Sequence, residues 1–306
     1  MKISQKLKII KNLLGLTQTE LARELGVSFA TLNSWLNKRS TPHKRQQQHI
    51  DDFYRKCTGQ KIIPDTASQA KKEIIEIKSK RYKNIIKKII GSPDIYEEFI
   101  LSLTYNTNSI EGSTLTKDET ADILFQNATL PNKDLIEHLE AKNHQTALQY
   151  LFSEINSKYK INEEFILKLH GILMNGIRKD AGQYRKHGVL IVGTNVPTAN
   201  YLKVPVLMKK LIKDINGRNK DIIYAVAEIH SRFEKIHPFS DGNGRIGRLL
   251  MNAMLLKKNI SPAVIKQKNK RFYYKYLNKS QQGEDYNLLE SFLCDAILSG
   301  FAVIER

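Results

Sequence analysis

Residues 237–248 read HPFSDGNGRIGR and bring a base, a carboxylate, glycines and two arginines within twelve positions. Arg245 and Arg248 are three apart, so their guanidinium forks leave one side of a helix and suit bidentate contacts to phosphate oxygens. Gly242 and Gly244 carry no side chain to block a close anion and permit unusual dihedrals. Asn243 tolerates a left-handed backbone and adds amide donors. Asp241 offers a hard oxygen of the kind Mg²⁺ shares with phosphates. His237, at the mouth of the loop, is placed to take a proton from an attacking hydroxyl. The chemistry written here is an anion cradle with a metal carboxylate and a base. Taken singly, each part also fits an ordinary turn, a surface ion pair or a helix-end cap. The spacing of His230, Glu234, His237 and Asp241 is not that of a zincin.

The flanking segments fix where this loop must lie. Ile222, Val226, Ile229, Phe233 and Ile236 recur at steps of four and three, which predicts one buried helix face. That helix must end at His237, because the residue before Pro238 disfavours the α conformation. RIGRLLMNAMLLKK then resumes as an apolar helix, so the glycine-rich loop feeds a helix N-terminus, where free N–H groups and the helix dipole favour anions.

Most of the chain carries helical spacing. Residues 71–90 predict a basic amphipathic helix ending at Gly91, and 61–70 a linker. The compact run Val189, Leu190, Ile191, Val192 and Gly193 alone suggests β structure, a short hairpin or flap. The expected fold class is mainly α: a small helical bundle over 1–60, a linker and basic helix over 61–94, and a helical core with a β-hairpin flap over 95–306.

The 306 residues are 41% hydrophobic and 26% charged, enough to bury a core. No apolar run approaches the roughly 20 residues that span a bilayer, and the N-terminus lacks the pattern of a signal peptide. Cys57 and Cys294 suggest neither a disulfide framework nor a zinc cluster, which fits a reducing, cytoplasmic setting without a membrane. The net charge of +18 favours anionic partners, although lysine is abundant throughout. Residues 1–60 carry 11 Lys and Arg against 4 Asp and Glu, a denser positive balance than the rest of the chain taken together.

LTQTELARELGVSFATLNSWLNKR, residues 16–39, reads helix, glycine turn, helix. Thr17 and Glu20 form a capping box, Gly26 stops the first helix, and Ser28 caps the second. The segment resembles the lambda-repressor-like DNA-binding family over about residues 1–56. That resemblance implies base reading by Ser28, Phe29, Thr31 and Asn33, phosphate contacts near Gln18, and backbone contacts from Lys38, Arg39, Lys44 and Arg45. The alternative is a helical bundle that binds another protein, which the apolar Phe29 and Ala30 favour.

HPFSDGNGRIGR also matches every fixed position of the Fic family signature, and the similarity runs over about residues 95–306. The resemblance implies AMP transfer from ATP to a Ser, Thr or Tyr hydroxyl of a target protein, with this protein itself among the candidate targets, and a homodimer is a further expected partner. It makes His237 the general base and Asp241 the Mg²⁺ ligand. Gly242, Asn243, Gly244, Arg245 and Gly247 would line the phosphates, Arg248 would take the γ-phosphate, and Phe239 would anchor the loop. The flap at 189–193 would hold the target by strand addition. Tyr273, Tyr274 and Gln281 would border the nucleotide. Relatives that phosphorylate carry lysine where this chain keeps Gly244, which favours AMP transfer.

TNSIEG, residues 107–112, places Thr107 and Glu111 four apart on a helix before a glycine. It resembles the family's inhibitory motif, which implies that Glu111 pairs with Arg248 in the γ-phosphate's place. Two alternatives stay open: an enzyme that removes AMP, and a DNA-binding regulator whose Fic fold senses nucleotide.

Overall fold

The computed structural model describes residues 1–155, 158–191 and 196–306, which form helices and connecting loops with no β-strand among the described residues. The chain divides into two compact units, Met1–Arg81 and Tyr82–Arg306.

In the first unit, α1 (Ile3–Leu13), α2 (Gln18–Glu24), α3 (Phe29–Leu36), α4 (Lys44–Thr58) and α5 (Ala67–Lys80) enclose Leu7, Ile10, Leu21, Leu25, Leu32, Ile50 and Tyr54. The caps form as the sequence predicts. Thr17 and Glu20 exchange side-chain and backbone hydrogen bonds, Gly26 turns left-handed at φ 65°, and the Ser28 hydroxyl accepts from Thr31 N–H at 3.1 Å. The segment leading into α5 is tied down by Gln60, which accepts from the Tyr54 hydroxyl at 2.5 Å and donates to Glu73 at 2.8 Å.

The single helix expected over 71–90 is instead two, α5 and α6 (Ile85–Ile90). Asn84 caps α6 by accepting from Lys87 N–H at 2.9 Å. Asn259 accepts from Ile85 N–H and donates to Tyr82 O, each at 2.8 Å. A cap and a distant asparagine compete successfully with helix continuation there.

The second unit continues with α7 (Pro93–Glu111), α8 (Lys117–Gln126), α9 (Leu135–Glu154), α10 (Glu163–Leu173), α11 (Val204–Ile215), α12 (Ile222–Ile236), α13 (Asn243–Lys257), α14 (Lys270–Gly283) and α15 (Asn287–Ile304). Along α13, Asn243 and every residue from Arg245 to Leu256 are buried. It packs on α12, α7, α9 and α10, so its N-terminal loop is presented from a rigid core. Helix α15, by length and composition apolar enough to cross a membrane, is mostly buried against this core.

The hairpin flap is not supported. Val189, Leu190 and Ile191 form no strand, and Val192 and Gly193 lie outside the described residues. Side chains rather than a ladder hold the ends of the segment: Thr198 donates its hydroxyl to Val189 O at 2.6 Å, and Arg185 donates to His187 O and Ala199 O. Leu190 is 89% exposed, without the packed face that favours a strand.

Candidate active site

The loop between α12 and α13 is braced from within. Asn243 donates its amide to Phe239 O and accepts from Phe239 N–H, both at 2.8 Å. Its side chain is therefore engaged inside the loop and not offered to a ligand, and the left-handed residues are His237 (φ 51°) and Gly242 (φ 77°). A Cβ at Gly242 would also stand 3.0 Å from Met174 Sδ. Phe239 is fully buried and stacks on His170, with ring centres 3.7 Å apart and planes 6° apart. His170 accepts from Gly182 N–H at 2.8 Å and donates to Asp241 O at 3.1 Å. Both ring nitrogens serve backbone groups, and burial lowers its pKa to about 4.

His237 closes α12 and points Nδ1 at Glu234 O, 3.2 Å away. Donation there leaves Nε2 with its lone pair. Burial lowers its pKa below the ordinary 6.5, so the ring is neutral at pH 7. The backbone at His237 is held by Arg185, whose Nε donates to His237 O at 2.7 Å. Arg185 is buried although no pattern in the sequence marks it.

The two arginines of α13 are both occupied, by different helices. Arg248 donates to Thr107 Oγ1 at 2.7 Å and to Glu111 at 2.6 Å; both partners lie on α7. Arg245 pairs with Glu140 of α9 at 2.6 Å. Two glycines of α13 allow carboxylates to pack closely here. A Cβ at Gly244 would overlap the Glu111 carboxylate, and one at Gly247 would overlap Glu234 Oε1.

Glu234 is a residue the pattern did not single out for a role. It is 6% exposed, Oε1 has no hydrogen-bond partner, and burial raises its carboxyl to about 8 despite the nearby Arg248. His230, one turn earlier, pairs with the Tyr273 hydroxyl at 2.7 Å, and burial lowers it to about 3. Tyr273 is buried 5.9 Å beneath the Arg248 guanidinium, whereas Tyr274 is 40% exposed and reaches Ile110 O at 3.4 Å. Gln281 is buried on α14, and its backbone oxygen accepts from Lys235.

Asp241 is about half exposed; its Oδ1 accepts from Gly242 N–H at 2.6 Å and lies 3.9 Å from Arg245. It lines an open cleft of about 480 Å³ with Glu111, Glu137, Glu140 and Arg245. The described residues hold no cluster of three or more metal-ligating side chains. One accessible carboxylate fits a Mg²⁺ ion that keeps water and phosphate oxygens as its other ligands.

In the N-terminal unit, Ser28 and Thr31 hydroxyls face each other at 2.8 Å, and Asn33 Oδ1 accepts from Asn37. Phe29 is half exposed at the start of α3; Lys38, Arg39, Lys44 and Arg45 are exposed and Gln18 partly so.

Comparison with known proteins agrees with both units. Residues 160–255 match the Fic/DOC family and residues 7–45 a helix-turn-helix family. The chain is 33% identical over 189 residues to the protein adenylyltransferase Fic of Nematostella vectensis, covering 59% of this chain and 43% of that protein. It is 30% identical over 184 residues to the protein of the same name from Drosophila ananassae, covering 59% and 37%. The chain thus spans less than half the length of these curated relatives. Among solved structures, a Fic domain-containing signalling protein from Bacteroides thetaiotaomicron aligns with TM-score 0.67 and 24% identity, over 77% of this chain and 97% of that one. Fic-1 from C. elegans aligns with TM-score 0.68 and 19% identity, over 94% and 84%. These two show the likeness of fold. The chain is thus similar to the Fic/DOC family over residues 160–255 and to a helix-turn-helix family over residues 7–45.

Proposed function

We propose that this protein transfers AMP from ATP to a hydroxyl side chain of a protein, and that Glu111 holds the activity off at rest. The observation that carries this reading is the neutral His237 beside a glycine-lined helix N-terminus whose distal arginine, Arg248, is paired with Glu111. The α13 N-terminus and Arg245 receive the phosphates, and Arg248 receives the terminal one once Glu111 leaves. Asp241 would hold Mg²⁺, which when bound would offset negative charge on the phosphates. His237 Nε2 accepts the proton of the attacking hydroxyl. The hydroxyl oxygen bonds to the α-phosphorus, the bond from that phosphorus to the bridging oxygen breaks, and diphosphate leaves. While Glu111 occupies Arg248, its carboxylate neutralises the guanidinium charge and repels the triphosphate.

The test is label transfer in the Glu111→Gly protein. Label on the α-phosphate of ATP should become bound to protein, and label on the γ-phosphate should not. Transfer of γ-label would replace AMP transfer with phosphorylation.

For the N-terminal unit we propose DNA binding, with α3 in the major groove and Lys38, Arg39, Lys44 and Arg45 on the phosphate backbone. The capped, mutually bonded Ser28 and Thr31 hydroxyls leave Phe29 as the most prominent exposed group at the start of α3, which suits contact with thymine methyl groups.

A further inference from the structure

The residues directly after Glu111 are held by a second carboxylate. Helix α7 ends at Glu111, and Gly112 turns left-handed at φ 114°. Ser113 and Thr114 then meet Glu137, in the first turn of α9. Ser113 Oγ donates to Glu137 Oε1 at 2.8 Å, Thr114 N–H donates to the same oxygen at 2.6 Å, and Thr114 Oγ1 donates to Oε2 at 3.1 Å. Burial pushes this carboxyl up, but these donors outweigh it and hold the group below the ordinary range, ionised at neutral pH.

The last turn of a helix frays easily, because its final carbonyls lack intrahelical partners. Glu111 sits on that last residue, so its aim at Arg248 depends on what holds the chain beyond it. We propose that Glu137 is a positioning residue for the brake: by gripping Ser113 and Thr114 it keeps Glu111 seated on Arg248. The inference rests on reading Glu111 as inhibitory. It makes the cleft shared by Glu111, Glu137 and Asp241 a place where release of Ser113 and Thr114 frees the γ-phosphate position. Lys133 Nζ also donates to Thr114 O, at 3.0 Å, so loss of Glu137 loosens the grip without abolishing it.

The test is ATP affinity by calorimetry on the full chain, for wild type, Glu111→Gly, Glu137→Ala and the double variant. Glu111→Gly should bind ATP most tightly. Glu137→Ala should bind about tenfold more tightly than wild type, the factor expected when restraint worth one charge-assisted hydrogen bond is lost. The double variant should equal Glu111→Gly, because Glu137 acts only through Glu111. Glu137→Gln, which keeps an acceptor for Thr114 N–H, should fall between wild type and Glu137→Ala. If Glu137→Ala unfolds, the Ser113→Ala, Thr114→Ala pair removes two of the three donors and should shift affinity in the same direction. Wild-type affinity in the Glu137 variants beside tight binding by Glu111→Gly overturns the proposal. So does a double variant weaker than Glu111→Gly, which would place Glu137 in the pocket itself. No gain in Glu111→Gly overturns the brake, and the proposal with it.

Discussion

Replacing Glu234 with glutamine should stabilise the second unit, and by more as the pH rises. Burial lifts this carboxyl from its ordinary 4.5 to about 8. The unfolded chain therefore loses the proton above pH 4.5, while the folded protein keeps it until about pH 8. More protons bound in the fold means that stability is fully present below 4.5 and declines as pH rises toward 8. At 1.36 kcal/mol per pH step, the wild-type cost is roughly 3 kcal/mol at pH 7 and under about 1 at pH 5. Glutamine mimics the protonated carboxyl and does not titrate. His230 and His144, both buried and lowered to about 3, destabilise the fold as pH falls below 6.5. They are present in both proteins and cancel in the comparison, as do Arg248, Glu111 and Tyr273 around the carboxyl. Urea unfolding at pH 5 and pH 8, followed by far-UV ellipticity, should show the variant's advantage growing by roughly 3 kcal/mol between them. Trp35 fluorescence is a poor probe because the one tryptophan lies in the first unit. An equal difference at both pH values would mean that Glu234 is ionised in the fold and held by Arg248.

Phe239→Ala should destabilise the second unit by about 3–5 kcal/mol, because it empties a fully buried site stacked on His170; a loss below about 1 kcal/mol in urea unfolding would contradict the anchoring role. In a gel shift, the full chain should bind a preferred DNA sequence that survives about 0.1 M salt. Binding that disappears there without sequence preference would reduce the N-terminal unit to a nonspecific polycation.

Much of this arrangement was legible in the sequence because local chemistry fixes it. The α12 face, its end at Pro238, the capping box at Thr17 and the helix stop at Gly26 each follow from a few adjacent residues. The pairing of Glu111 with Arg248 was readable only through a family resemblance, and the Thr107 hydroxyl on the same guanidinium was not read at all. Partners distant in the chain were not legible. Nothing near Arg245 points to Glu140, 105 positions earlier, and nothing near Tyr82 points to Asn259, which breaks the helix that periodicity predicts. Nothing in the local pattern marked Arg185 or Glu234 for burial, which comes from the packing of whole helices. The described part of the β-like run, Val189 to Ile191, misled because such residues signal a strand only where a partner or a packed face exists.

We propose that residues 237–248 are competent for AMP transfer and restrained by Glu111. Mass spectrometry after incubation with ATP and Mg²⁺ tests it most directly, on wild type, Glu111→Gly and Glu111→Gly with His237→Ala. AMP on a hydroxyl side chain should accumulate in Glu111→Gly, stay scarce in wild type, and be absent when His237 is also replaced. A Glu111→Gly protein with no more AMP adduct than the variant lacking His237 would contradict it.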